Sequence, residues 1–243
     1  MKKIVAIAFF LSVVPLWSET GLEIIKKVDN NQKFSTEKFQ MRMIIEKGNR
    51  KMVKSLFGYG KDMGNNSFME FTNPEDKGVK YLKLNDELWI YFPDADEIMK
   101  ISGHMLRQGM MGSDISYEDM MRKETLEESY EVKLTGTQTI NKLECFVVEL
   151  NAKTADALYE KQIIYVDKNK YVLVKIDMHA RGGRLLKTLE QFDFKKIDNR
   201  YIPQYIIMKD LRRKDSKTTI EFISVQFDIK IPPGVFSKSY LKR

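Results

Sequence analysis

The sequence predicts a mainly β protein with some helix, of the α+β class, built on one large and curved antiparallel sheet. Apolar and polar residues alternate through most of the chain, and short turn sequences separate the alternating segments. Helical periodicity is confined to two places, one near the N-terminus and one near the middle. About a dozen strands that are apolar on one side form a sheet whose buried face has to be covered or closed.

The first predicted element is an amphipathic helix from Thr20 to about Gln32. Thr20-Gly21-Leu22-Glu23 has the Ser/Thr-x-x-Glu pattern, in which the threonine hydroxyl and the glutamate satisfy free amides of the first helical turn. Apolar residues then recur at helical spacing, namely Leu22, Ile25 and Val28. This pattern predicts that one side of the helix packs against the sheet.

Strands are predicted from Phe39 onward, where the period changes to two. Phe39, Met41, Met43 and Ile45 share one side of the first strand, and polar residues alternate with them on the other. Turn sequences rich in Asn, Asp, Pro and Gly separate the strands that follow. The further predicted strands are Met52–Tyr59, Ser67–Thr72, Val79–Leu84, Leu88–Phe92, Glu97–Ile101, Tyr130–Thr135, Leu143–Leu150, Gln162–Val166, Val172–Met178, Leu185–Phe194, Ile202–Met208 and Thr218–Phe227.

One stretch, from Gly103 to about Glu128, interrupts the alternation. It contains five of the fourteen methionines of the chain. Ser116 and Asp119 have the spacing of a helix N-terminus. We predict a glycine-jointed loop followed by a short helix, inserted between two series of strands, where it can lie over the concave face of the sheet.

The N-terminus predicts export. Residues 1–3 form a basic head, and the apolar run of residues 4–14 is too short for a membrane-spanning helix, which needs roughly 20 residues. We interpret residues 1–18 as a signal peptide cleaved after Ser18, which leaves 19–243 as one domain. Because the one cysteine, Cys145, is neither at the cleavage site nor able to form an internal disulfide, a soluble periplasmic protein held together by its core is expected.

Charge and motifs favour binding over catalysis. The net charge of +7 falls to +5 without Lys2 and Lys3 (7 − 2 = 5) and is spread along the chain, so we expect no nucleic-acid partner. The two histidines, His104 and His179, have no carboxylate or cysteine at metal-ligand spacing. Nucleophile-elbow and phosphate-loop motifs do not occur in the sequence. We therefore expect no enzyme activity, no metal and no cofactor.

Three segments carry a resemblance to a known family. The chain resembles the periplasmic outer-membrane lipoprotein-sorting proteins related to LolA and LolB, in Leu84-Asn85-Asp86-Glu87-Leu88-Trp89-Ile90-Tyr91-Phe92-Pro93, Met111-Gly112-Ser113-Asp114-Ile115-Ser116-Tyr117-Glu118-Asp119 and Ile231-Pro232-Pro233-Gly234-Val235-Phe236. The resemblance implies a half-open antiparallel β-barrel of about 11–12 strands with helices covering the concave face. It also implies carriage of lipoprotein acyl chains without a cofactor. LolA has an arginine-proline pair where this chain has Asn65-Asn66, so the lid-closing role of that arginine does not transfer.

Candidate site residues follow from the methionine-rich insert and the first strand. Methionine repacks around ligands of different shape, which suits a carrier. Sheltering a sixteen-carbon chain from water is worth roughly 12 kcal/mol, at about 0.8 kcal/mol per methylene. The predicted wall is Phe39, Met41, Met43 and Ile45, and the predicted lid is Met105, Leu106, Met110, Met111 and Ile115. Arg42 is the candidate for a rim or headgroup contact. The alternatives are plain core residues and, for Arg42, a solvated side chain on the outer face; which face of Leu88–Phe92 points inward stays open.

The predicted function is a monomeric periplasmic carrier of acylated lipoproteins or related lipids. It would bind acyl chains in an apolar cavity, receive them from an inner-membrane transporter and deliver them to an outer-membrane acceptor. One alternative is an interaction module that senses lipoproteins or lipids without transporting them. The other is a lipid-modifying hydrolase assembled from residues distant in the sequence.

Overall fold

The fold is described from a computed structural model, which covers residues 19–121 and 126–243. The predicted signal peptide, residues 1–18, lies outside them. The strands are β1 Thr36–Lys47, β2 Arg50–Lys61, β3 Asn66–Phe71, β4 Lys80–Leu84, β5 Glu87–Phe92, β6 Glu97–Ile101, β7 Tyr130–Ile140, β8 Leu143–Ala152, β9 Lys161–Asp167, β10 Leu173–His179, β11 Leu185–Phe192, β12 Lys195–Ile197, β13 Arg200–Ile202, β14 Tyr205–Asp210 and β15 Ser216–Phe227. The helices are α1 Gly21–Gln32, α2 Tyr117–Met120, α3 Leu126–Ser129 and α4 Lys238–Leu241.

Thirteen of the strands form one antiparallel sheet. Their order is β6-β5-β4-β3-β2-β1-β15-β14-β11-β10-β9-β8-β7, and β12 and β13 make a separate hairpin. Strand β1 joins the two halves, because it pairs with β2 on one side and with β15 on the other. The end strands β6 and β7 do not pair with each other. The predicted large curved antiparallel sheet is therefore confirmed, whereas the predicted half-open barrel of about 11–12 strands is corrected to a sheet of thirteen strands that is not closed.

Helix α1 covers the half of the concave face formed by β7 to β10. Its N-terminus is the predicted capping box, with the amide of Glu23 donating to Thr20 Oγ1 at 3.2 Å and the amide of Thr20 donating to Glu23 Oε2 at 2.7 Å. Ile24, Ile25 and Val28 are buried against the sheet. Full burial of one such side chain contributes about 1.5–3 kcal/mol. Packing against the sheet therefore holds this helix, as its sequence pattern predicts.

The C-terminal segment covers the convex face. Phe68, Leu82 and Trp89 of β3 to β5 are buried beneath Val235 and Leu241. The expectation that helices cover the concave face is thus incomplete, because α4 packs on the opposite side of the sheet. A strand whose two faces are both covered is apolar throughout, which explains why period alone did not assign the faces of β5.

Candidate functional site

The predicted wall lies on the concave side of β1. Phe39, Met43 and Ile45 are buried there, and Met41 is partly buried in the same cluster. Space for the ring of Phe39 comes from Gly58 of β2, where a Cβ atom would lie 2.4 Å from the Cζ atom of Phe39. The alternation of β1 therefore places all four predicted wall residues on one face.

The methionine-rich insert, residues 103–121, packs onto this wall. Met105, Leu106, Met111 and Ile115 are partly buried in the cluster that contains the wall residues, and Met110 is 6% exposed. The predicted wall and the predicted lid are thus brought together in one apolar cluster. Leu88 and Ile90 belong to the same cluster, so the concave face of β5 carries these two residues. Wall and insert fill the space between them by direct contact.

An ion pair between Lys187 and Asp119 fixes the end of the insert to the sheet. Lys187 of β11 is 2% exposed, and its Nζ atom donates to Asp119 Oδ2 at 2.5 Å and to Ser116 Oγ at 3.2 Å. The hydroxyl of Tyr159 donates to Asp119 Oδ1 at 2.6 Å. Burial alone raises the pKa of Asp119, but the charge of Lys187 and these hydrogen bonds outweigh it and leave the pKa below its ordinary value.

A second buried contact lies one turn earlier in the insert. Asp114 is buried, and its carboxylate accepts a hydrogen bond from the Thr218 hydroxyl at 2.7 Å. The backbone amide of Asp114 in turn donates to Thr218 Oγ1 at 2.8 Å. Arg213 donates to the carbonyl oxygen of Ser113 at 2.5 Å. The segment from Ser113 to Asp119 thus anchors the insert to β11, the β14–β15 turn and β15.

An apolar pocket of about 240 Å³ opens beside the insert cluster on the concave face. It lies between the end of α1, the β12–β13 hairpin and the strands β1, β10, β11, β14 and β15. Its lining residues are Asn31, Phe34, Glu37, Val172, Leu173, Gln191, Tyr201, Ile202, Pro203, Ile206, Phe222, Val225 and Phe227. Ile206, Phe222 and Val225 also pack against the wall-and-insert cluster, so pocket and cluster are continuous.

None of the nine predicted apolar site residues lines this pocket directly. The lining residues on β15 were missed because a bulge in the pairing with β1 interrupts the alternation of the strand. Met41 is paired with Phe222 but Gln40 with Ser224, so Ile223 is the extra residue. Phe222 and Val225 therefore face the pocket, whereas Ile223 between them is exposed.

Arg42 lies on the outer face of the sheet. Its guanidinium contacts Glu221 of the neighbouring strand, with Nη2 2.7 Å and Nε 2.9 Å from Glu221 Oε2. The side chain is about half exposed. Arg42 therefore does not lie at the rim of the concave pocket. Its position agrees with the alternative interpretation, in which it is a solvated side chain on the outer face.

The other reactive groups in the described part of the chain are a buried thiol and dispersed His, Asp and Glu side chains. Cys145 is buried, and burial together with the nearby Asp167 carboxylate raises the pKa of its thiol to about 11. Within residues 19–121 and 126–243, no three side chains of His, Cys, Asp or Glu are grouped as metal ligands. None of the helices in the described part of the chain is long and apolar enough to cross a bilayer.

Solved structures share this architecture over nearly the whole chain. An outer-membrane lipoprotein-sorting protein domain from Vibrio parahaemolyticus superposes with a TM-score of 0.81 at 22% identity, covering 92% of this chain and 98% of that one. A DUF1329 family protein from Desulfovibrio piger gives 0.82 at 24% identity, with coverage of 91% and 97%. A LolA superfamily protein from Nitrosomonas europaea gives 0.73 at 21% identity, with coverage of 92% and 100%. The fold is therefore LolA-like, which confirms the resemblance found in the sequence motifs.

A family model described as "Uncharacterized protein" matches residues 64–243. The chain belongs to this family. No curated protein sequence matches the chain.

Proposed function

We propose that the chain is a periplasmic carrier that holds acyl chains of lipoproteins, or of a related lipid, in the concave pocket. It takes them from an inner-membrane transporter and hands them to an outer-membrane acceptor. The observation that carries the proposal is the continuity between the apolar pocket and the methionine-rich cluster. The LolA-like fold supports it as well, because a solved domain named for outer-membrane lipoprotein sorting shares this fold.

The size of the pocket indicates how a chain would be accommodated. Ligand pockets in proteins span about 300–1,000 Å³. At about 240 Å³ the concave pocket is smaller and holds only part of a long acyl chain. A whole chain therefore needs the adjoining cluster to separate, with Met105 and Met111 moving off the wall. Methionine side chains suit this movement, because they adopt new packing arrangements with little strain.

The pocket is tested by filling it. We expect Val225→Trp to weaken binding of an uncharged, pyrene-labelled long-chain alcohol at least tenfold, because the indole occupies the space that the chain would enter. The matched control is Ile223→Trp, two residues away on the same strand but 53% exposed on the outside, which should bind like the unaltered protein. Equal binding by both variants would contradict the pocket as the acyl site.

A carrier is distinguished from a sensing module by measuring whether the protein transfers an acylated peptide from one membrane to another. Donor vesicles containing a fluorescent acylated peptide are mixed with acceptor vesicles and with catalytic amounts of the protein. A carrier increases the rate of transfer in proportion to its concentration, and Val225→Trp should remove that increase. Tight binding of the peptide without accelerated transfer would favour the module that recognises lipoproteins but does not move them.

A further inference from the structure

We propose that the pocket selects amphiphiles whose polar end is a protonated amine, and that Glu37 is the residue that receives this group. The inference rests on the proposed function, since it concerns the polar end of the molecule whose chain occupies the same pocket. It assigns a headgroup chemistry to a site that is otherwise lined mainly by apolar side chains.

Glu37 stands in the register of the apolar wall. It lies two residues before Phe39 on the concave side of β1 and lines the pocket. Its partner on β2 is Gly60, where a Cβ atom would lie only 2.5 Å from Glu37 Oε1. The glycine therefore leaves the space that the carboxylate occupies, close against the backbone of the sheet. A side chain at position 60 would displace the carboxylate of Glu37 from this place in the wall.

Glu37 is the one charged residue that lines the pocket in the described part of the chain. Its backbone belongs to the sheet, but its carboxylate has no hydrogen bond or ion pair to any described residue. Asn31, also polar, is engaged with the backbone of Tyr201, donating to its carbonyl oxygen at 3.2 Å and accepting from its amide at 3.0 Å. The carboxylate of Glu37 is thus left as the free charged acceptor in the pocket. Glu37 is half-buried, and a carboxylate partly removed from water without a partner is destabilised, so a ligand cation there has a favourable interaction to make.

The charged groups around the mouth of the pocket leave Glu37 unpaired. Arg200 is held by Asp228 at 2.8 Å and by the carbonyl oxygen of Lys33 at 2.6 Å, and Lys170 lies over the ring of Tyr201. Burial raises the pKa of Glu37 to about 7, and none of these groups contributes to the shift. An ammonium group in the pocket would supply the opposite charge and lower that pKa again.

The aromatic side chains of the pocket also suit an alkylammonium group. The ring of Phe34 lines the pocket 5.8 Å, centre to centre, from that of Phe227. Arg200 already lies over the ring of Phe227, and Lys170 over that of Tyr201, so Phe34 is the ring without a cation of the protein over it among these three. Aromatic rings attract organic cations, and a carboxylate beside them strengthens the preference. The chain of an amine-bearing amphiphile would thus contact the apolar lining of the pocket, and its ammonium group would contact Glu37 and an aromatic ring.

The test compares three molecules with the same twelve-carbon chain, namely dodecylamine, dodecanol and dodecanoic acid. Each displaces the pyrene-labelled alcohol from the protein at pH 8, below its micelle-forming concentration. We expect the amine to bind about ten times more tightly than the alcohol, and the acid more weakly than either. Glu37→Gln should bring amine and alcohol to equal affinity. Glu46→Gln, on the same strand but paired with Lys217 at the surface, should leave the order unchanged.

Lowering the pH gives a second readout on the unaltered protein. As the pH falls from 8 to 5, Glu37 becomes protonated, and the preference for the amine should decline towards that of the Glu37→Gln variant. Equal affinity for amine and alcohol in the unaltered protein at pH 8 would overturn the assignment of Glu37 while leaving the acyl pocket in place. Failure of all three molecules to bind would instead overturn the proposed function.

Discussion

Lys187 shows how single residues hold the insert in place. An amine that is 2% exposed would be strongly destabilising without its contacts to Asp119 and Ser116. The free energy lost in taking two charges out of water is about as large as the attraction between them. The Lys187–Asp119 pair therefore orients the insert more than it adds to net stability. It fixes where the insert meets β11, which matters if that contact is to open and close reproducibly.

Removing one partner of this pair should be costly. We expect Lys187→Met to lower the free energy of unfolding by about 3–5 kcal/mol, because it leaves the Asp119 carboxylate buried without its cation. Adding Asp119→Asn to this variant should restore a large part of the loss. Urea denaturation of the single and double variants measures both values. A loss below about 1 kcal/mol for Lys187→Met would show that water reaches the site.

The same pair gives the stability a defined dependence on pH. The pKa of Asp119 is lower in the folded protein than its ordinary value of 3.8, so its contribution is present above that value and is lost as the pH falls further. Below that pH the difference in stability between the unaltered protein and Asp119→Asn should shrink.

For single residues, the sequence predicted the alternation of β1, and with it the common face of Phe39, Met43 and Ile45. The acidic residue at position 37 continues the same alternation, so the sequence did contain the signal for a carboxylate in the wall. Lys187 could not be predicted as buried, because its partner Asp119 is sixty-eight residues away. Burial of a charge depends on such distant partners, which periodicity does not reveal.

The insert is the element on which the account of the site depends. The capping box at Thr20 and the helix N-terminus at Ser116 were predicted, and both are present; at Ser116 the N-terminus is also a capping box, formed with Asp119. Gly109 forms a bridge with Ser116, and the chain reverses between them through Met111 and Gly112, which both have positive φ angles, of 50° and 80°. Positive φ is unusual for methionine, so this turn is maintained by its surroundings.

Gly109 tests the shape of the insert. A Cβ atom there would lie 2.0 Å from the carbonyl oxygen of Ser113. Gly109→Ala should therefore displace the turn and make residues 103–121 at least several-fold more sensitive to limited proteolysis, with the strand content of the protein retained. The matched control is Gln108→Ala, at the neighbouring exposed position, where the substitution removes side-chain atoms from the surface and adds none to the turn. Equal proteolysis of both variants would contradict a tightly packed insert.

The β12–β13 hairpin and β15 mark the limit of prediction for elements. The hairpin has strands of only three residues each, too short for an alternating pattern. In β15 the bulge at Ile223 brings Phe222 and Val225 to the same side, although strict alternation places them on opposite faces. The pocket is lined by these irregular elements, so its location could not be read from the sequence.

For the whole molecule, the antiparallel meander was predicted and the pairing of β1 with β15 was not. That pairing places the first strand in the middle of the sheet and leaves β6 and β7 as its two ends. The insert connects these ends along the chain and packs onto the concave face between them. Because β6 and β7 do not pair with each other, we expect that the concave space can widen without loss of strand pairing.

Location of the acyl chain is the most direct test of this account. A long-chain alcohol with a diazirine at its chain end is bound to the protein and cross-linked by light, and mass spectrometry identifies the modified residues. We predict adducts on the concave residues Ile206, Phe222 and Val225 or on the adjoining methionines of the insert. Adducts confined to the exposed apolar residues Val53, Leu211 and Ile223, with the concave face unmodified, would contradict it.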